Sequence, residues 1–165
     1  MKTYENFISD LFVIKLPKEI IELGNILTKF VNNNIEKGWN AGSRIYNYRD
    51  LQNQYEYSRK QQKMYIYLDL NSIDGTYTYI KLDYVKHLNV LEIAVLSQPR
   101  VEKLVDIENF LEHILSSYAN DSRPYITTMV EGARYWISLN KIPEIINKIT
   151  QEEFDLYTTT NTYNL

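Results

Sequence analysis

Apolar residues recur at three- and four-residue steps between Ile20 and Ile35, and this spacing predicts a helix. The stripe is Ile20, Ile21, Leu23, Leu27, Phe30, Val31 and Ile35. Pro17 suits the helix start, where its missing N–H costs nothing. Asn32, Asn33 and Asn34 weaken the end, and Gly38 supplies a stop. Upstream, Tyr4 to Phe12 reads as a shorter helix or an irregular cap.

In the centre the period changes to two. Met64, Ile66, Leu68 and Leu70 alternate with Tyr65, Tyr67 and Asp69, as in a half-buried strand. Asn71 to Gly75 predicts a turn, and Thr76 to Tyr84 alternates again. With a five-residue loop, position 70 faces 76, 68 faces 78 and 66 faces 80. That register places Met64, Ile66, Leu68, Ile80 and Leu82 on one face, and Tyr65, Tyr67, Tyr77, Tyr79 and Lys81 on the other. Leu88 to Leu96 is almost continuously apolar, which predicts a central strand covered on both sides.

After Pro99, Val101, Leu104, Val105, Ile107, Phe110, Leu111, Ile114 and Leu115 form a second helical stripe that ends at Asn120-Asp121-Ser122. Tyr125 to Val130 and Ala133 to Leu139 predict a hairpin over Glu131-Gly132. Asn140 then caps a short helix carrying Ile142, Ile145, Ile146 and Ile149. Between the first helix and the first strand, Trp39 to Lys63 is ambiguous. Asn40, Gly42 and Ser43 read as a loop and Arg44 to Tyr48 as a short strand. Asp50 suits the cap of a helix carrying Leu51 and Tyr55, while alternation at Tyr55, Tyr57 and Arg59 equally fits a strand.

The predicted fold is therefore α+β: a single domain over residues 1–157, with a frayed polar tail over 158–165. Its antiparallel sheet combines a three-stranded meander and a C-terminal hairpin, with helices packed mainly on one face. Over about residues 18–150 this order of elements resembles that of type III secretion chaperones. The likeness is one of topology and implies the fold alone.

Composition narrows the chemistry. The 165 residues contain no cysteine, which removes a disulfide framework, a thiolate metal site and a cysteine nucleophile. The net charge of -3 describes neither a polycation nor a nucleic-acid mimic. Ile, Asn, Tyr and Lys total 62 residues, against 19 for Ala, Gly, Pro and Arg. That contrast follows AT-rich codons and points to a low-GC bacterium, its phage or a large DNA virus. No apolar run approaches the ~20 residues that span a bilayer, and the N-terminus lacks a signal-peptide pattern, so the expectation is a cytoplasmic protein without a membrane partner.

Catalytic patterns are not found. The histidines His87 and His113 form no metal-ligand spacing, and the five glycines never cluster as a phosphate loop. His113 has Ser116 and Ser117 one turn on, an arrangement better read as an ordinary helix surface than as a nucleophile and base. Asp69 to Gly75 has an isoleucine where a calcium loop needs an oxygen ligand. No metal or cofactor is expected.

Two aromatic surfaces remain. Residues 37–63 carry Lys37, Arg44, Arg49, Arg59, Lys60 and Lys63 against only Asp50 and Glu56, interleaved with Trp39, Tyr46, Tyr48, Tyr55 and Tyr57. The second surface is the tyrosine face of the first hairpin, Tyr65, Tyr67, Tyr77 and Tyr79. Tyr, Trp and Arg are what protein interface hot spots are made of. Bases with aromatics also suit a nucleic-acid backbone and its bases. The favoured expectation is a non-enzymatic protein that occludes a protein partner, of inhibitor, immunity or phage anti-defence type. A nucleic-acid binder and a structural component of a virion or secretion apparatus are the alternatives.

Overall fold

The computed structural model describes residues 14–46, 62–70, 76–97, 101, 104–127 and 130–164. The expected elements over 4–12, 48–61 and 71–75 lie outside them. Helix α1 (Lys18–Asn34) starts directly after Pro17 and buries Ile20, Leu23, Leu27, Phe30 and Val31. The strands are β1 (Trp39–Tyr46), β2 (Lys63–Leu70), β3 (Thr76–Val85) and β4 (Val90–Leu96). Helix α2 (Leu104–Tyr118), strands β5 (Asp121–Ile126) and β6 (Glu131–Ser138), and helices α3 (Ile142–Lys148) and α4 (Gln151–Tyr163) complete the α+β fold.

The strands form one antiparallel sheet in the order β1-β2-β3-β4-β6-β5. The nearly continuous apolar run becomes β4, which sits inside the sheet and is buried on both sides. One face carries Met64, Ile66, Leu68, Ile80, Leu82, Leu91, Ile93, Tyr135 and Ile137, and the buried residues of all four described helices pack against it. Phe30, Phe110 and Phe154 bring α1, α2 and α4 together, with ring centroids 5.2–5.4 Å apart. Among the described residues no helix packs on the opposite face, where Ala94, Leu96 and Tyr125 form a small separate cluster. No helix of the described residues is long and apolar enough to cross a membrane.

Several expectations are corrected. Asn40, Gly42 and Ser43 are strand and not loop, because β1 pairs with β2 along its whole length. Glu131 and Gly132 begin β6, so the hairpin turns earlier, with Thr127 N–H donating to the Val130 carbonyl at 2.9 Å. The residues read as a polar tail are helical as far as Tyr163. Helix α4 runs on to Tyr163, started by Thr150, whose hydroxyl accepts from Glu153 N–H at 3.2 Å, and Thr158 and Thr162 bond back to carbonyls one turn earlier.

The first hairpin also departs from its expected register. Ile66 pairs with Ile80 as predicted, but Tyr67 pairs with Thr78 and Leu68 with Tyr77. One residue of β3, Tyr79, is left over at a bulge. Its ring therefore turns to the helix side beside Ile80 and is wholly buried, so Tyr79 is a core residue and not part of an outer tyrosine face. The same slip carries Tyr77 to the helix side.

Candidate functional site

The helix-free sheet face is built by alternation. Positions whose neighbours point into the core point outward, giving Arg44 and Tyr46 on β1 and Lys63, Tyr65 and Tyr67 on β2. The same parity places Lys81 and Asp83 on β3, Glu92 and Ala94 on β4, Arg134 and Trp136 on β6 and Arg123 and Tyr125 on β5. At its centre lies a shallow cavity of about 310 Å³ lined by Lys63, Tyr65, Lys81, Asp83, Glu92, Ala94, Tyr125 and Arg134.

Each acid in the cavity faces a base. Lys63 Nζ lies 3.1 Å from Asp83 Oδ2, its direct cross-strand neighbour. Arg134 Nε lies 3.3 Å from Glu92 Oε1 but out of hydrogen-bond alignment, which leaves that buried N–H without an acceptor among the described residues. Asp83 and Glu92 are themselves cross-strand partners, so the two bases offset what would be a repulsive pair.

The cations also cover the rings. Lys81 Nζ sits 5.4 Å from the Tyr65 ring centre and 5.8 Å from that of Tyr125. The Arg134 guanidinium lies 4.8 Å from Tyr125 and 5.7 Å from Trp136, and Arg123 lies 5.5 Å from Trp136. Arg44 lies 5.0 Å from the Tyr46 ring. At these separations the ring quadrupole attracts the cation, by ~0.5–1 kcal/mol where water reaches the pair. Tyr46 and Tyr65 are 5.1 Å apart, and the Tyr46 and Tyr67 hydroxyls are 3.3 Å apart. Burial, then the bond to Tyr46, pushes the Tyr67 phenol well above the usual tyrosine value.

Of the sequence-predicted residues, Arg44, Tyr46, Tyr65 and Tyr67 come together on this face. Trp39 and Tyr77 meet each other instead on the helix side near the end of α1, with ring centres 6.0 Å apart. Tyr79 is in the core. Tyr48, Arg49, Tyr55, Tyr57 and Arg59 lie outside the described residues. Sequence reasoning missed Glu92, Tyr125, Arg134 and Trp136, because it did not pair the late hairpin with β4. The available signal was the alternation of Arg134 and Trp136 with the core residues Tyr135 and Ile137.

Ser116 and Ser117 both donate to the His113 backbone carbonyl, at 3.3 and 2.7 Å. The imidazole stacks near Tyr157 with ring centres 5.1 Å apart, in a groove of about 540 Å³ between α2 and α4. Among the described residues no three His, Asp or Glu side chains converge as a metal site. Comparison with protein families, curated proteins and solved structures finds no match for this chain.

Proposed function

We propose that this chain is a non-enzymatic binding protein whose helix-free sheet face occludes a protein partner, in the manner of an inhibitor, immunity or phage anti-defence protein. The observation that carries this reading is the placement of Lys81, Arg134, Arg123 and Arg44 over the rings of the face. A base stacking on Tyr125 or Trp136 would first have to displace a cation already seated there. A protein partner need not, because ordered Arg–aromatic stacks are ready-made anchors with little side-chain freedom left to lose.

Charge supports the same choice. The bases of the face alternate with Asp83, Glu92 and Asp121, unlike the single-sign groove that tracks a phosphate backbone. Size agrees as well. Five strand spacings of ~4.8 Å and about seven residues at ~3.3 Å make roughly 550 Å² before side-chain relief. One side of a standard protein interface is ~800 Å².

A photo-crosslinking residue at Trp136 or Arg123 tests the reading in lysate of the source cell. A discrete protein adduct formed from these positions, and absent with the crosslinker at exposed Asn147 on α3, is the expected result. Equal adducts from both faces, or oligonucleotide binding that weakens steeply with salt and with Arg44→Ala, overturn it.

A further inference from the structure

The two edges of the sheet are finished differently. On β5, the Thr127–Val130 bond fixes which residues turn toward β6, and Ser122, Pro124 and Ile126 are left facing outward. Pro124 has no N–H to offer there, which blunts that edge. On β1, the outward residue Ala41 is already satisfied. Its N–H donates to Asn32 Oδ1 and its carbonyl accepts from Asn32 Nδ2, both at 2.6 Å. The alternation of an antiparallel ladder then turns the N–H and C=O of Ser43 and Ile45 outward as well. Among the described residues nothing bonds them.

We propose that the Ser43–Ile45 edge of β1 takes an added antiparallel strand from another protein, with an acidic residue opposite Arg44. The side chains set this sequence. Ile45 is half-buried on the helix side and calls for an apolar neighbour. Ser43 is exposed on that same side and suits a small polar one. Arg44 is exposed on the helix-free face, where its direct cross-strand neighbour approaches to about 4.5 Å between Cα atoms. A carboxylate there is attracted. A second copy of this chain is the disfavoured occupant, because the symmetric register that uses both open residues sets Arg44 against Arg44, and like charges directly opposite repel. Asn32 limits the added strand at Ala41. This inference is independent of the sheet-face reading above, which it meets only at Arg44.

The probe is a blocked synthetic peptide with Val-Glu-Thr at its centre, titrated into the ¹⁵N-labelled full chain. The largest amide shifts are expected at Ser43 and Ile45. N-methylating the Val and Thr of the peptide, which leaves the protein untouched, should weaken binding at least ~10-fold by removing two ladder bonds. Ser43→Pro should do the same, with a thermal melt to show that it folds. Replacing the peptide Glu by Lys should weaken binding about 2–5-fold, and Arg44→Glu should reverse that preference. Arg134→Ala, on the sheet face, should change none of this. The proposal is overturned by shifts that spare β1, by insensitivity to N-methylation, or by no binding at millimolar peptide. Self-association of the wild type that Ser43→Pro abolishes would also overturn it, in favour of a second copy.

Discussion

The side-chain amide of Asn32 occupies the place of a neighbouring strand for Ala41, giving and taking one hydrogen bond at 2.6 Å each. Helix α1 is thus fastened to the sheet edge by polar contacts as well as by its apolar stripe. This fixes which way the Asn32 amide points, since a flipped group would set donor against donor. Asn32→Ala should cost about 1–2 kcal/mol in a urea melt, because both Ala41 groups lose their partner at an edge that water reaches only in part. Asn32→Asp should cost at least as much. Its carboxylate keeps the N–H bond but repels the Ala41 carbonyl, and it adds negative charge at the end of the helix that already carries it.

Two glycines separate by what surrounds them. A Cβ at Gly132 would run into the Val95 carbonyl oxygen and the Leu96 Cα, which are backbone atoms of β4 and cannot step aside. A Cβ at Gly24 would meet the Met64 Sδ and Cε, the flexible end of a long side chain. Gly132→Ala should therefore lose at least ~2 kcal/mol. Gly24→Ala should stay within ~1 kcal/mol of the parent, since better helix propensity offsets the repacking. Equal losses in paired urea melts would contradict this account.

Helix α4 depends on its first turn. Thr150 and Glu153 stand at the spacing of a capping box, and Phe154 on the next position locks into Phe30 and Phe110. Thr150→Ala should cost ~1 kcal/mol. Hydrogen exchange should quicken along 151–163 before it quickens in α2.

These elements differ in how far the sequence foretells them. Helices α1 and α2 and strands β2, β3 and β4 are legible because each has one dominant period of apolar residues, or a continuous apolar run in the case of β4. Strand β1 is legible only from Arg44 on, since Trp39-Asn40-Ala41-Gly42-Ser43 has turn-forming residues and little apolar surface. Its strand character comes from β2 and from Asn32, both remote in sequence. The bulge at Tyr79 is hidden for a related reason. Alternation reads Tyr77 and Tyr79 as one outer face, and the extra residue of β3 turns both rings to the helix side, Tyr79 into the core beside Ile80. The candidate face was half legible. Tyr65, Tyr67 and Lys81 follow from the pattern of the meander, but their contact with Tyr125 and Arg134 depends on β4 and β6 lying side by side.

Tyr79 and Tyr135 make stability fall in alkali. Burial pushes the Tyr79 phenol well above its usual value, with the Glu108 carboxylate adding to it. Burial, then Glu112, pushes Tyr135 up to about 12. In the unfolded chain both ionise near pH 10. Below that pH both states are protonated and the contribution to stability is complete. As pH rises toward 12 the unfolded state sheds protons that the folded state keeps, so stability is lost through that window, by roughly 1–2 kcal/mol for Tyr135. Tyr135→Phe and Tyr79→Phe should each flatten the decline of urea midpoint between pH 9 and 11.5, a window set by ~10 for free tyrosine. The two differ at neutral pH. Among the described residues the buried Tyr79 hydroxyl has no hydrogen-bond partner, so Tyr79→Phe should be neutral or stabilising by up to ~1 kcal/mol. Tyr79→Ala should instead cost ~3–5 kcal/mol by emptying the site of a large core ring. Tyr163→Phe, at a position 83% exposed, is the control that should leave the neutral midpoint where it is. If Tyr79→Phe destabilised at pH 7, its hydroxyl would have a partner after all, and its part in the alkaline loss would need another cause.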